Sequence, residues 1–293
     1  MRTLSLVLLA LAAQVAVAQQ RVDIHLRAIP APSVRLGGAM SSVRVIGWDR
    51  DSIALTGALT QGSRMDGGPF AGNSLVVGMK FFVNAPDESA QLGNKLELRV
   101  PRNARVWIKA GSADIEASGV TGGLDLNIVG GSVRVSGRPR ELIVESMDGS
   151  VDVNGYVSYG RLKTATGDIT FHGTGEDMTV STVSGTIRVG DGSVERARFE
   201  SVTGPIIFAA DLVRGGDTRF DTHSGAIELR LSKKAEAEID ASSVTGSIEN
   251  AWTGRRPAVG REGRGMELGV SSGMGGARVS VRSFKGNIKL ATK

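Results

Sequence analysis

The amino-acid sequence reads as an all-β chain wound into a single-stranded parallel β-solenoid. Three observations lead there: a glycine-marked internal repeat, an unbroken β-branched column within it, and strict alternation of apolar and polar residues around that column. The repeat glycines are Gly131, Gly149, Gly167, Gly185, Gly204, Gly225, Gly246 and Gly286, spaced by 18, 18, 18, 19, 21, 21 and 40 residues. A fixed period of this length is the signature of stacked repeats.

Two positions after each glycine stand Val133, Val151, Ile169, Ile187, Ile206, Ile227, Ile248 and Ile288. The next residues, Arg134, Asp152, Thr170, Arg188, Ile207, Glu228, Glu249 and Lys289, are mostly polar, and apolar residues resume one position later. Period-two alternation of this kind places one set inside and the other outside a half-buried strand. Five positions before the glycine runs a second apolar column, Leu126, Val144, Leu162, Val180, Phe199, Phe220, Ala241 and Val281. Each coil of about 18–21 residues therefore supplies about two short strands and two corners. No coil can bury its apolar face alone, so neighbours must stack in register. An antiparallel sandwich or barrel explains the alternation, but not one β-branched column through every repeat.

Three positions before the glycine lies a hydroxyl in each repeat from Ser146 to Ser283, expected to satisfy backbone groups at the corner. The glycine itself is expected to supply a left-handed backbone or a close approach of the chain. The last spacing, about two periods, predicts a loop or a degenerate coil within it.

Upstream the pattern loosens. Residues 33–110 carry strand-like runs at Val43–Ile46, Ile53–Thr56, Leu75–Val83, Leu96–Val100 and Val106–Ile108, with a Gly-rich exposed loop expected over Gln61–Asn73. They read as an irregular β cap on the N-terminal end of the regular array at 111–293. Residues 19–32 form an N-terminal extension. At the far end, a basic loop at 252–265 holds Trp252, Arg255, Arg256, Arg261 and Arg264 among Gly and Pro.

Residues 1–18 have the layout of a secretory signal peptide: Arg2, an apolar run from Leu4 to Ala13, and a small-x-small site at Ala16-Val17-Ala18. No later run is long enough for a membrane helix, so no transmembrane segment is expected in the mature chain. The expected setting is periplasmic, cell-surface or secreted.

The chain resembles the bacterial "putative adhesin" family of exported β-strand-repeat proteins. The likeness rests on Val43-Arg44-Val45-Ile46-Gly47-Trp48-Asp49-Arg50-Asp51, on Leu96-Glu97-Leu98-Arg99-Val100-Pro101-Arg102-Asn103-Ala104, and on the recurring Ser/Thr-Gly-x-Ile units. It spans about Ser33 to Leu290. The resemblance implies a β-solenoid in an envelope or extracellular setting, and it carries no catalytic or ligand residues over.

Composition narrows the chemistry. The absence of cysteine removes thiol catalysis, disulfides and Cys-ligated metals. His25, His172 and His223 have no metal-ligand spacing, no nucleophile elbow occurs, and the Gly-rich stretches lack a following helix or Lys-Ser/Thr. No catalytic residue, cofactor or metal is predicted. Among outward acids, Asp152 and Asp168 lie in different columns. Glu228 and Glu249 share one, and in adjacent coils about 4.8 Å apart would suit a retaining glycosidase. Trp48 and Trp107 are expected to pack in the N-terminal coils. Trp252 and the arginines of the basic loop are the candidate surface contacts, for envelope glycans or another envelope protein and not for nucleic acid.

The function predicted is a non-enzymatic exported scaffold or adhesin-like protein presenting a rigid polar surface. The alternatives are a polysaccharide-processing β-helix enzyme using Glu228 and Glu249, and a partner-binding module that extends its sheet through the terminal strand near Asn287–Leu290.

Overall fold

The computed structural model describes residues 19–71, 75–260, 263–274 and 276–293. The proposed signal peptide lies outside them. The chain is all-β, a single 23-stranded and mostly parallel sheet. Among the described residues there is one α-helix, Glu88–Gly93, whose first turn is capped by Asp87 Oδ1 accepting from the Ala90 N–H at 2.8 Å.

From residue 105 to 231 each repeat pairs in parallel with the next. Val133 lies opposite Val151, Val151 opposite Ile169, Ile169 opposite Ile187, Ile187 opposite Ile206 and Ile206 opposite Ile227. The second column keeps the same register from Leu126 through Val144, Leu162, Val180 and Phe199 to Phe220. All these side chains are buried in one core. The pairing is parallel throughout this stretch, as stacked repeats require and as hairpins would not. Near its C-terminal third the core turns aromatic, with Phe199, Phe208 and Phe220 in mutual contact at ring-centroid distances of 5.8, 5.1 and 5.2 Å.

The expected sequential stacking fails at the C-terminal end. Phe220 pairs with Val281, not Ala241, and Val281 in turn pairs with Ala241. Likewise Ile227 faces Ile288, and Ile288 faces Ile248. The last repeat in sequence thus inserts between the two that precede it. The outer repeat is then closed by an antiparallel strand, Met266–Ser272, laid along Ala237–Ser243 and itself paired with Ala258–Val259. The long gap in the glycine spacing is therefore a folded end cap rather than a loose coil.

The N-terminal end uses the same device. Ser33–Gly38 lies between Gly78–Val83 and Arg105–Ala110, and Ser42–Trp48 lies between Lys95–Pro101 and the strand Ser112–Ser118. Antiparallel strands again cover the outside: Ser52–Thr60 pairs with Gln19–Arg27 and with Lys95–Arg99, and Arg64–Ala71 pairs with Val76–Asn84. Two expectations change here. The segment 19–32 belongs to the long strand Gln19–Gly38, and the stretch expected as an exposed loop holds the strand Arg64–Ala71.

The repeat glycines serve close approach. A Cβ on Gly167 would strike the Gly149 carbonyl oxygen, one on Gly185 that of Gly167, and one on Gly204 that of Gly185. Of the eight, only Gly131 has a left-handed backbone, at φ 97°.

Candidate functional site

At the corner before each glycine the chain alternates inward and outward once more. The hydroxyls Ser146, Thr164, Thr182, Ser201, Thr222, Ser283 and Ser243 are buried. All but Ser201 bind corner backbone: for example, the Gly149 N–H donates to Ser146 Oγ at 2.8 Å, Thr164 Oγ1 donates to the Gly167 carbonyl at 2.6 Å, and the Gly185 N–H donates to Thr182 Oγ1 at 3.0 Å. The residue after each hydroxyl must then point outward, and most of these are apolar. Val129, Met147, Ala165, Val183 and Val202 follow one another along the edge, continued by His223, Phe284 and Val244. Val129, Met147, Val183, Val202, Phe284 and Val244 are 44–56% exposed. His223 stacks on Phe284 at 5.1 Å, with the rings 15° from parallel.

The result is a shallow apolar groove running the length of one edge. Two hollows mark it, one of about 330 Å³ around Met147 and Ala165 and one of about 500 Å³ around Val183 and Val202. One rim carries Asn127, Glu145, Lys163, Ser181, Glu200 and Asp221, then Arg282 and Ser242, in register. A contiguous apolar strip on a protein surface marks an interaction site. Sequence reasoning missed this strip, although its signal was present: an apolar residue recurs two positions before most of the repeat glycines.

A second concavity, of about 580 Å³, lies on a sheet face near the C-terminal end, lined by Arg198, Arg219, Arg278 and Arg282 facing Asp217, Asp221, Glu238 and Asp240. Asp217 accepts from Arg219 at 3.1 Å, and Arg198 reaches Glu200 at 2.5 Å and Asp221 at 3.8 Å. These are exposed pairs in water and contribute little to stability. They form an ordered array of both signs.

The residues singled out in the sequence fall as follows. Arg255, Arg256 and Arg264 are exposed on the cap, and Arg261 lies outside the described residues. Trp252 is half-buried against the core and donates its indole N–H to the Ser232 carbonyl at 3.0 Å. Trp48 and Trp107 are half-buried in the N-terminal part, Trp48 donating to the Ser52 carbonyl at 2.8 Å and Trp107 lying under Arg35. His25 contacts Asp23 at 2.9 Å, while His172 sits 3.7 Å from Asp191. Among the described residues no group of His, Asp and Glu is placed to hold a metal ion.

The paired-carboxylate expectation is overturned. Lys289 lies between Glu228 and Glu249 in the ladder, so the two glutamates stand two repeats apart, roughly 10 Å by strand spacing. Hydrogen bonds from Arg230 hold Glu228 below the usual carboxylate range, with Lys289 adding to the effect. A lowered Glu228 with Lys289 rather than Glu249 beside it does not fit the carboxylate pair of glycosidic chemistry. The terminal strand is equally unsuited to sheet extension, because its Ile288–Leu290 segment is paired on both sides.

The signature of the family described as Toastrack DUF4097 matches residues 72–291. A solved structure similar to this chain is that of a putative cell adhesion protein from Clostridium sporogenes ATCC 15579. It is 9% identical, with 94% of this chain and 99% of that one covered and a TM-score of 0.27. No curated protein matches.

Proposed function

This chain belongs to the Toastrack DUF4097 family, and we propose that it is an exported, non-enzymatic β-solenoid presenting a long, rigid, polar surface for adhesion or scaffolding at the bacterial envelope. The observation that carries this reading is the registered parallel stacking. Ladder partners repeat every ~4.8 Å, so outward side chains such as Arg198, Arg219, Ser280 and Asp240 form a straight polar column. A repetitive partner, an envelope glycan or another envelope protein, meets many evenly spaced weak contacts in turn, and effective concentration combines them into avidity.

The exposed Arg255, Arg256 and Arg264 add a basic patch that steers anionic partners. The signal-peptide pattern of residues 1–18 supports the exported setting. Among the described residues no helix is long and apolar enough to cross a membrane.

The test is a glycan array run beside a pull-down from envelope extracts with purified protein. The expected result is binding without turnover, weakened by salt and by the triple variant Arg255→Glu/Arg256→Glu/Arg264→Glu. Release of cleaved polysaccharide, or failure to bind any glycan or envelope component, would sink the reading.

A further inference from the structure

We propose that the apolar edge groove is a self-docking surface, on which a second copy of the chain packs antiparallel about a two-fold axis lying between the Val183 and Val202 repeats. This goes beyond the adhesive reading and does not depend on it. Two independent features select the occupant.

The first is pitch. Knobs along the groove recur every ~4.8 Å, the spacing of paired strands. A helix advances ~5.4 Å per turn and would drift about 4 Å out of step over seven intervals. An extended strand presents same-side residues every ~6.6 Å and loses step sooner. A second copy has the same period by construction and stays matched along the whole edge.

The second is charge. A two-fold axis placed between Ser181 and Glu200 sets Glu145 against Arg282 of the second copy and Lys163 against its Asp221, by the observed order of repeats. The opposite rim, one residue past the groove, sets exposed Asp148 against exposed Lys285 of the second copy. Between the rims Met147 meets Phe284, Val129 meets Val244, and Val183 meets Val202. Every charged pair recurs by symmetry, and such isologous two-fold contacts are the commonest form of self-association.

Other registers fail on the same residues. Moving the axis half a repeat one way sets Glu145 against Asp221; moving it the other way sets Lys163 against Arg282 and Glu200 against itself. A parallel pairing brings Glu145 onto Asp148 and Arg282 onto Lys285. Like charges in contact suppress wrong arrangements, so the antiparallel register stands alone among these. Three columns over eight repeats give about two dozen residues per copy, the size of a standard interface.

The insertion of the final repeat matters here. It carries Arg282, Phe284 and Lys285 into the seat between the Asp221 and Ser242 repeats. In sequence order the positive rim would stand one place farther out, and the complementarity would be lost.

The experiment is sedimentation velocity on the purified protein, with a charge swap and a crosslink. The wild type is expected to sediment as a dimer. Lys163→Asp, at an exposed position, should shift it to a monomer that keeps the wild-type far-UV circular dichroism spectrum, and adding Asp221→Lys should restore the dimer. Because the chain has no cysteine, a mixture of Met147→Cys and Phe284→Cys proteins should form covalent dimers on mild oxidation. Either variant alone should not. A wild type that is monomeric up to about 100 μM would overturn the proposal and leave the groove to a different partner. A dimer that ignores Lys163→Asp, or covalent dimers from Met147→Cys alone, would overturn it by placing the contact elsewhere.

Discussion

Thr164 Oγ1, its own proton given to the Gly167 carbonyl, accepts a hydrogen bond from Thr182 Oγ1 at 3.0 Å, joining residues 18 positions apart across adjacent repeats. The same relationship recurs where the last repeat is inserted, Thr222 Oγ1 accepting from Ser283 Oγ at 3.1 Å over 61 positions while it donates to the Gly225 carbonyl. A hydroxyl column thus runs through the corner whatever the chain order, satisfying donors that the tight turn would otherwise strand.

The ladder is not uniform, and that yields a paired prediction. Thr182→Val keeps the shape but leaves the buried Gly185 N–H without its acceptor. We expect a loss of about 1–3 kcal/mol in denaturant unfolding. Ser201 occupies the next seat, yet its buried Oγ has no hydrogen-bond partner among the described residues. Ser201→Ala should therefore cause no measurable loss. Equal losses from both variants would show that the hydroxyls matter only as packing volume.

Stacking distance is set at the glycine column. Gly185→Ala drives a methyl group into the Gly167 carbonyl, and the repeats must part to admit it, at about 1–3 kcal/mol or more. Gly68→Ala, where nothing among the described residues lies within 4 Å of the new Cβ, is the control and should be neutral. Matching midpoints for the two variants would contradict the close-approach account.

Two aspartates should give acid stability profiles of opposite sign. The Thr186 backbone N–H, foremost, and then Arg188 hold Asp168 below the usual carboxylate range, against a smaller push from burial. Its contribution is present above the unfolded value and is lost as pH falls through the lowered one. Burial, foremost, raises Asp125, opposed by the hydrogen bond from Asn127. Its contribution is present in acid and is lost as pH rises through the raised value. Asp168→Asn should flatten the acid limb of a stability–pH curve, while Asp125→Asn should stabilise the protein at neutral pH. Curves that move in the same direction would refute the assignment.

Interleaved ends should suppress fraying. Terminal segments normally exchange fastest, but the amides of Val279, Val281, Ile288 and Leu290 lie between two paired repeats. Hydrogen exchange is expected to protect them as well as those around Ile187. Fast exchange there would mean that the last repeat sits on the outside.

The periodic columns were legible in the chain alone because burial acts on each repeat in the same way. Val or Ile two positions after the glycine, and a hydroxyl three before it, are demanded by a shared axis and a tight corner, so composition at those positions follows from local physics. The family resemblance, drawn from the Val43–Asp51 stretch, the Val100 stretch and the Gly-x-Ile units, held over residues 72–291 for the same reason, with Val43–Asp51 outside the matched residues. The edge groove was equally written in the sequence, as the outward residue at Val129, Met147, Val183 and Val202, but exposed apolar residues acquire meaning only once they line up.

Which repeat sits beside which was decided by tertiary structure. Ile288 fits against Ile227 or Ile248 equally well by pattern, since every repeat offers the same glycine carbonyl and the same β-branched knob. Register within a repeat is therefore encoded locally, whereas neighbour choice depends on connection lengths and on the antiparallel strands that close each end. That choice separated Glu228 from Glu249 with Lys289 and brought Arg282 beside Asp221. A periodic sequence specifies the lattice on which its repeats stack; the order in which they occupy it is settled by the non-repeating segments that must reach between them.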